Sequence, residues 1–583
     1  MKKLLKTMLV TSTIMVAALG AGSYYLMKQG NEIKTAEKEE ELLELDVDDG
    51  KKKPVYEERT IIKIPLDTSE KQLKDVYFGN YTESQNKFIK KKKKKNIYNF
   101  ESPLWIWDCY GTNHLSLYTY FKTTENCYLR YTIQVDDNNI PNFTRKVRVG
   151  DDVSNTREHE YQLTGFVPGM RNILVMEIYS EEDEILDKKV YSVQVPKLSS
   201  GADTKISMTS GRSEEKMSNG FYVVYGKKDI WLYDNSGVLR GEIPLVKRAT
   251  QNLIVEESKM YYGIDSNHFV KISSDGAVEH VYSIGKYEQY GQWMYNGYGS
   301  MWIMATEPGK KNKSIRDTIL AVDLENSHVT KLFSMDQFMP DVVKKAKIGK
   351  NKKLNWIDLN SIAQVNSDEM LVSSRELSTI FKVIHITSRS PRISFLIGEE
   401  KTWKKTSMEK RLLDKTGQEE ADAKQAEDQA NSVLDLGAAA EVFLAPFGQS
   451  YIEVEKSSAL TEGQYYLYVW DSNYGYSSTR PDLKWSRYDG VGTKKFDARL
   501  SYVKKFLVDE TLAQYNIDSS QDVVYTKENG NMQYYDNHRI DSYGNAKSYA
   551  EYDKTGKMIR KFSYEISDVT HVEKQNLKNI WYQ

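Results

Sequence analysis

Cysteine is nearly absent: 583 residues hold two, Cys109 and Cys127. That excludes a disulfide-dense secreted scaffold, and no Cys/His spacing typical of a zinc or iron–sulfur site occurs. Both cysteines fall among predicted strands of one unit. They read either as one disulfide of an exported domain or as two buried thiols. Histidine is also rare, at 8, and proline stands at 12. The absence of metal-ligand spacing and of a glycine-rich phosphate loop removes metal hydrolases and nucleotide enzymes, so no cofactor is implied. A formal net charge of -1 supplies no bulk field for nucleic acid.

What the chain does have is tyrosine, 41 of them, within an aromatic content of 12%. Aromatic residues between Asp-, Asn- and Gly-containing turns point to many short strands. At the N-terminus, Lys2, Lys3 and Lys6 precede an uncharged run from Met8 to Met27, long enough to span a bilayer. Residues 1–27 are therefore expected to be a signal anchor with the bulk of the chain outside the cell membrane. Ala18-Leu19-Gly20 keeps a cleaved signal peptide, and hence secretion, as the alternative. Residues 28–98 read as a charged stalk: acidic over Glu37–Asp49, basic at Lys51–Lys53, with six consecutive lysines at Lys90–Lys95. Such blocks suit a solvated linker, with contact to anionic envelope polymers as the functional reading. Ile61–Ile64 is expected to form one short strand.

Residues 99–197 alternate like a β-sandwich of the immunoglobulin type, with strands at Leu115–Phe121, Tyr128–Val135, Arg145–Val149, Glu158–Leu163, Ile173–Tyr179 and Lys189–Val195. From 205 to 583 a looser repeat takes over, strand–turn–strand with Asp and often Gly in the turn. It recurs at 231–243, 270–284, 320–335, 382–398 and 550–566. Recurrent hairpins of this kind make the outer halves of propeller blades. Five such hairpins, with room for one more at 440–510, predict six blades. Residues 407–435, rich in Glu, Lys, Ala and Gln, are expected to be a surface helical insertion. The fold class is thus all-β: a six-bladed propeller behind a β-sandwich.

Three stretches carry a chemical pattern. Arg316–Leu324, RDTILAVDL, follows Tyr290-Gly291-Gln292. Trp356-Ile357-Asp358-Leu359-Asn360-Ser361-Ile362 leads through a hairpin to Ser373-Ser374-Arg375-Glu376. Phe447-Gly448-Gln449-Ser450 opens a strand whose partner ends in Asp471-Ser472-Asn473-Tyr474-Gly475. In this order the chain resembles the bacterial arylsulfate sulfotransferases, which move a sulfuryl group between phenols through a sulfated histidine. The 99–197 unit, with its EHEYQLTGFVPGMRN segment, resembles that family's N-terminal β-sandwich. The resemblance also implies six blades, and an aromatic or sulfated small molecule as ligand.

The family's histidines are missing at these places. Gln292 falls in the first motif, Asp358 and Glu376 replace histidines of the second, and Ser450 stands at the nucleophile position of the third. Transfer through the protein needs a nucleophile and groups that hold the sulfuryl oxygens. Arg375, Asn360 and Gln292 are the candidate oxygen ligands, and Arg480 is a candidate at the channel mouth. Asp358 works against an anion: at about 4 Å and an effective dielectric of about 20, repulsion is roughly 4 kcal/mol. Arg375 either grips the sulfuryl group or pairs with Asp358, two readings that stay open, and Arg480 pairs with Asp482 if it has no ligand role. Asp358 or Glu453 is the only nearby base for Ser450, whose commoner role is a backbone hydrogen bond. Trp293, Trp356, Tyr474 and Tyr476 suit either aromatic stacking or blade packing. Three functions stay open: a binding protein on an impaired enzyme scaffold, an active sulfotransferase with a rearranged site, and a structural envelope protein.

Overall fold

The computed structural model describes residues 46–47, 55–56, 61–63, 69–147, 155–247, 252–416, 445–488, 490–578 and 580–582. The uncharged run Met8–Met27 and residues 417–435 of the expected helical insertion at 407–435 lie outside these residues. Its first residues, within 407–416, form a short 3-10 turn and the strand Asp414–Thr416. Among the described residues, no helix is long and apolar enough to cross a membrane.

Six four-stranded antiparallel sheets follow one another around a ring. Blade 2 runs over 253–283, blade 3 over 288–334, blade 4 over 359–398, blade 5 over 451–524 and blade 6 over 530–563. Blade 1 is composite. Its three outer strands, Phe221–Tyr225, Asp229–Tyr233 and Leu239–Pro244, come early, and its innermost strand is His571–Gln575 near the C-terminus. The last strand therefore closes the ring, and Ser207–Ser210 adds an edge strand to blade 6. The five predicted outer hairpins all form. That of blade 5 lies later than expected, between Leu500–Asp509 and Gln514–Val524. Asp414–Thr416 pairs in parallel along its outer edge.

The first unit has the expected strands but not two separate sheets. Leu115–Phe121 and Tyr128–Val135 are parts of one 20-residue strand, Ser116–Val135, that belongs to both sheets. Its first half pairs with Leu104–Trp107 and Thr156–Thr164, its second with Phe143–Lys146 and Arg171–Tyr179. The register breaks between Lys122 and Cys127, where the strand bends from one sheet to the other. Ile62–Lys63 joins as a parallel edge strand, as expected of that segment. Cys109 and Cys127 are free and buried, which corrects the disulfide alternative.

The charged stalk is the clearest departure. Residues 70–95 fold into two helices, α1 (Glu70–Phe78) and α2 (Tyr81–Lys95). Tyr77 donates to the Pro244 carbonyl at 2.7 Å, and Ile89 packs among Ile106, Tyr118 and Ala277. The helices thus wedge between the first unit and blades 1 and 2. Composition alone favours solvation there; a few apolar residues at helical spacing, matched by an apolar seat, decide otherwise.

Candidate functional site

Antiparallel four-stranded blades send two kinds of connection to the same face: the link from second to third strand, and the link from one blade to the next. The three motifs sit on these links. Arg316 precedes the third strand of blade 3. Asp358 and Asn360 open the inner strand of blade 4, and Arg375 and Glu376 follow its second strand. Ser450 precedes the inner strand of blade 5, and Tyr474–Asp482 lies in the link that follows its second strand. Gln292 is the exception, lying within the inner strand Glu288–Tyr295 of blade 3.

That inner strand is bulged around Gln292. Pairing skips from Gln289 to Trp293, and Gly291 sits at φ +59 with the Met304 methyl 2.8 Å from where a Cβ would be. The bulge turns Gln292 toward blade 4. Its Oε1 accepts from the Ser361 hydroxyl at 2.6 Å and from the Ile362 N–H at 3.2 Å. The Ser361 oxygen in turn accepts the Ile452 N–H of blade 5 at 3.1 Å.

These bonds are two links of a closed belt. Glu453 of blade 5 accepts the Tyr534 N–H of blade 6 at 3.4 Å, and Gln533 exchanges bonds of 3.0 and 2.6 Å with the Lys574 backbone of blade 1. Asn252, at the start of blade 2, donates to Glu573 of blade 1 at 3.0 Å and accepts the Trp293 N–H of blade 3 at 3.1 Å. A hydrogen bond thus crosses every joint around the centre. Ser361 is fully buried and serves two joints. Ser361→Ala should therefore cost about 1–3 kcal/mol, since it strands the Ile452 N–H. A lowered thermal midpoint by calorimetry checks this; an unchanged one would show the belt to be incidental.

Asp358 does not pair with the Arg375 side chain, one of the two readings open for that arginine. It takes the left-handed conformation, φ 46, and its carboxylate accepts from Arg316 Nη1 at 2.8 Å. Only the Arg375 backbone N–H meets Asp358, at its carbonyl, 3.2 Å away. The Arg375 guanidinium reaches the Lys527 carbonyl at 3.2 Å and Glu528 at 3.4 Å, and lies 5.7 Å over the Tyr474 ring. Glu528 is 55% exposed, so that pair is worth about 0–1 kcal/mol. Arg316 is held by a buried carboxylate; Arg375 has only an exposed one. Arg375 is the cation that an incoming anion can recruit.

Asn360 Nδ2 donates to the Gln449 carbonyl at 2.6 Å, while its Oδ1 is buried without a partner. Ser450 Oγ donates to the Gly530 carbonyl and lies 3.4 Å from Ser472 Oγ. Neither is a base, so the hydroxyl is held as the backbone-bonding alternative anticipated. Burial pushes Glu453 up to about 7, with Glu455 and Glu573 adding to the rise against the Tyr534 N–H, but its recorded bond goes to blade 6. Arg480 is paired with Asp482 through two bonds of 2.8 and 2.6 Å, the alternative to a ligand role. Trp293 and Trp356 are core residues, 1% and 0% exposed.

Two features escaped the sequence. Arg316, though inside a recognised motif, was assigned no role. Glu376, noted only as a histidine replacement, organises the neighbouring link by accepting from Ser477 Oγ at 2.7 Å and from the Ser478 hydroxyl and N–H at 2.6 and 2.7 Å. That link carries a ladder of cations and rings. Arg375 covers Tyr474, Tyr474 lies 5.8 Å from Tyr476, and Lys494 covers Tyr476 at 5.6 Å. Gly448 lets this link approach, since a Cβ there would sit 2.2 Å from the Tyr474 carbonyl.

The sequence model of the family described as Arylsulfotransferase (ASST) matches residues 208–583, well over half of the chain. The chain belongs to this family. The match begins in the strand that edges blade 6 and leaves the first unit and helices α1 and α2 outside. No curated protein sequence matches. Among solved structures, a putative 6-phosphogluconolactonase from Bacteroides fragilis is 9% identical, with 62% of this chain and 100% of that one covered and a TM-score of 0.29. The periplasmic gluconolactonase of Pseudomonas aeruginosa is 7% identical over 78% and 99%, also at a TM-score of 0.29. Similarity at that level adds nothing to the reading of this arylsulfotransferase-family site.

Proposed function

We propose that this arylsulfotransferase-family protein binds an aromatic anion on the face of blades 4 and 5 and does not turn it over by the family's sulfohistidine route. The observation that carries the proposal is the prior commitment of each replaced position. Gln292 closes a blade joint, Asp358 neutralises Arg316, and Ser450 Oγ donates to a carbonyl. None is left as a nucleophile with an adjacent base. The eight histidines lie elsewhere, at turns or in partnered positions such as His538 on Glu551 and His571 on Glu573. What persists is recognition chemistry: one displaceable arginine, two tyrosine faces and Lys494. In this reading the chain is tethered to the cell membrane by Met8–Met27, with the propeller outside.

The rearranged transferase has one observation in its favour: the Asn360 Oδ1 is buried without a hydrogen-bond partner. The test uses the full chain with 4-nitrophenyl sulfate as donor and phenol as acceptor. No nitrophenolate release is expected. A non-hydrolysable aryl sulfonate should bind by calorimetric titration, and Arg375→Ala should weaken it at least about tenfold, or 1.4 kcal/mol. Turnover that vanishes in Arg375→Ala would establish the transferase instead. Absence of both binding and turnover would remove the ligand site altogether.

A further inference from the structure

The six-lysine run is not a uniform charged block once it is helical. Turns of 3.6 residues divide the lysines of α2 between two faces. Ile89 is buried and Phe88, Lys92 and Lys93 are half-buried. Lys92 lies 5.3 Å over the Phe88 ring, and Lys93 lies 3.8 Å over Tyr120 and bonds Glu160 at 2.7 Å. These inward lysines lay their stems on apolar surface and have local partners.

Lys87, Lys90, Lys91, Lys94 and Lys95 are all exposed and recur at spacings of three and four, so they form one outward stripe. Glu83, one turn before Lys87, meets only the first of them, at 2.7 Å. Lys90, Lys94 and Lys95 have no carboxylate partner among the described residues. Like charges at such spacing destabilise a helix. The helix dipole offsets this for the last turn and Glu83 offsets it at Lys87, while no carboxylate among the described residues neutralises Lys90. Just past the helix, Ile97 is 92% exposed, the most exposed of the large apolar residues among those described.

We propose that the outward stripe of α2 is a docking surface for an anionic lipid bilayer, with Ile97 entering the headgroup layer. Charge complementarity selects an anionic partner, and on a chain of net charge -1 the stripe concentrates positive charge at one place. The bare isoleucine beside it favours a bilayer over a soluble polyanion, which offers nothing apolar to receive it. The proposal does not depend on the ligand site. It would fix how the propeller is presented: α2 packs between the first unit and blade 2, so docking through it holds the whole body against the membrane rather than at the end of a free tether.

The test is a lysine-acetylation footprint of the full chain, read by mass spectrometry, with vesicles of phosphatidylcholine alone and with phosphatidylglycerol added. Any insertion of Met8–Met27 is common to both, so the comparison isolates the stripe. Labelling of Lys90, Lys91, Lys94 and Lys95 should fall several-fold with the anionic vesicles and recover at high salt, while Lys344 and Lys410 on the propeller stay unchanged. Lys90→Gln combined with Lys94→Gln should restore labelling at Lys91 and Lys95. Equal labelling with both vesicle types would overturn the proposal, and so would protection by soluble polyglutamate equal to that by anionic vesicles.

Discussion

Replacing Glu551 by leucine is expected to lower stability by about 3–5 kcal/mol, because it leaves the Lys574 ammonium buried and unpaired where the propeller ring closes. Both side chains are completely buried, and Lys574 Nζ lies 2.7 Å from Glu551 Oε2. Lys574 belongs to the C-terminal strand of blade 1, and Glu551 to the third strand of blade 6, so the bond joins the two ends of the ring. Glu551 also accepts from the Tyr222 hydroxyl, from Ser218 through its N–H at 2.7 Å and its hydroxyl at 2.8 Å, and lies 2.6 Å from His538 Nδ1. Burial alone would raise this carboxyl, but Lys574, Tyr222 and His538 outweigh it and hold Glu551 at about 2. Such a depressed carboxylate contributes stability that is present above about 4.5 and lost as pH falls toward 2. Desolvation lowers Lys574 in turn to about 8, against the pull of Glu551, so the carboxyl's gain is partly offset and the mutational loss comes from stranding the buried ammonium. Glu551→Gln keeps an acceptor for Tyr222 and Ser218 and should cost visibly less. Calorimetric midpoints of the two variants at neutral pH would check this. If leucine were as stable as glutamate, the charged closure would be dispensable and the pairing of His571–Gln575 with Phe221–Tyr225 would suffice.

The propeller was legible because its signal is local and repeated. A hairpin such as Leu320–Met335 announces itself by a polar turn between alternating strands, and several of these at blade spacing allow few other folds. The closing strand was not legible in the same way. Pairing of Phe221 with Gln575 is a contact across most of the chain, and nothing in HVEKQ distinguishes an innermost strand from any other. Helix α2 was hidden for a different reason. Its composition reads as solvated, and only Phe88 and Ile89, with the seat provided by Tyr118 and Tyr120, override that.

At the site, the motifs located the residues correctly but not their bonds. Asp358 and Arg375 are near in sequence and a pair between them was one open reading, yet Asp358 pairs with Arg316 of the neighbouring blade. The left-handed turn at Asp358 and the bulge at Gly291 redirect side chains through backbone geometry that residue types alone do not encode. Arg480, by contrast, meets the acid two residues away, as local reach suggested.

The joint between the first unit and blade 1 should make stability fall on the alkaline side of neutrality. His114 lies with Nδ1 2.6 Å from Asp108 Oδ2, and its backbone N–H donates to the Glu242 carbonyl of blade 1 at 2.9 Å. Arg240 of the same strand crosses back to the Gly165 and Pro141 carbonyls at 3.1 and 2.9 Å. Burial by itself would depress the imidazole. Asp108, with Glu242 and Asp229 beyond it, outweighs that and raises His114 to about 9. A histidine whose folded value lies above its unfolded one stabilises fully below about 6.5, and the contribution is lost as pH rises through 9. The difference corresponds to about 3 kcal/mol. The thermal midpoint of the full chain should therefore decline between pH 6.5 and 9. His114→Gln, which keeps a hydrogen bond to Asp108 without the titrating charge, should flatten that decline while starting from a lower midpoint at pH 6. If the variant and the parent lost stability in parallel over this range, another group would be responsible. The joint would then be held by Arg240 and its two carbonyls rather than by the His114–Asp108 pair.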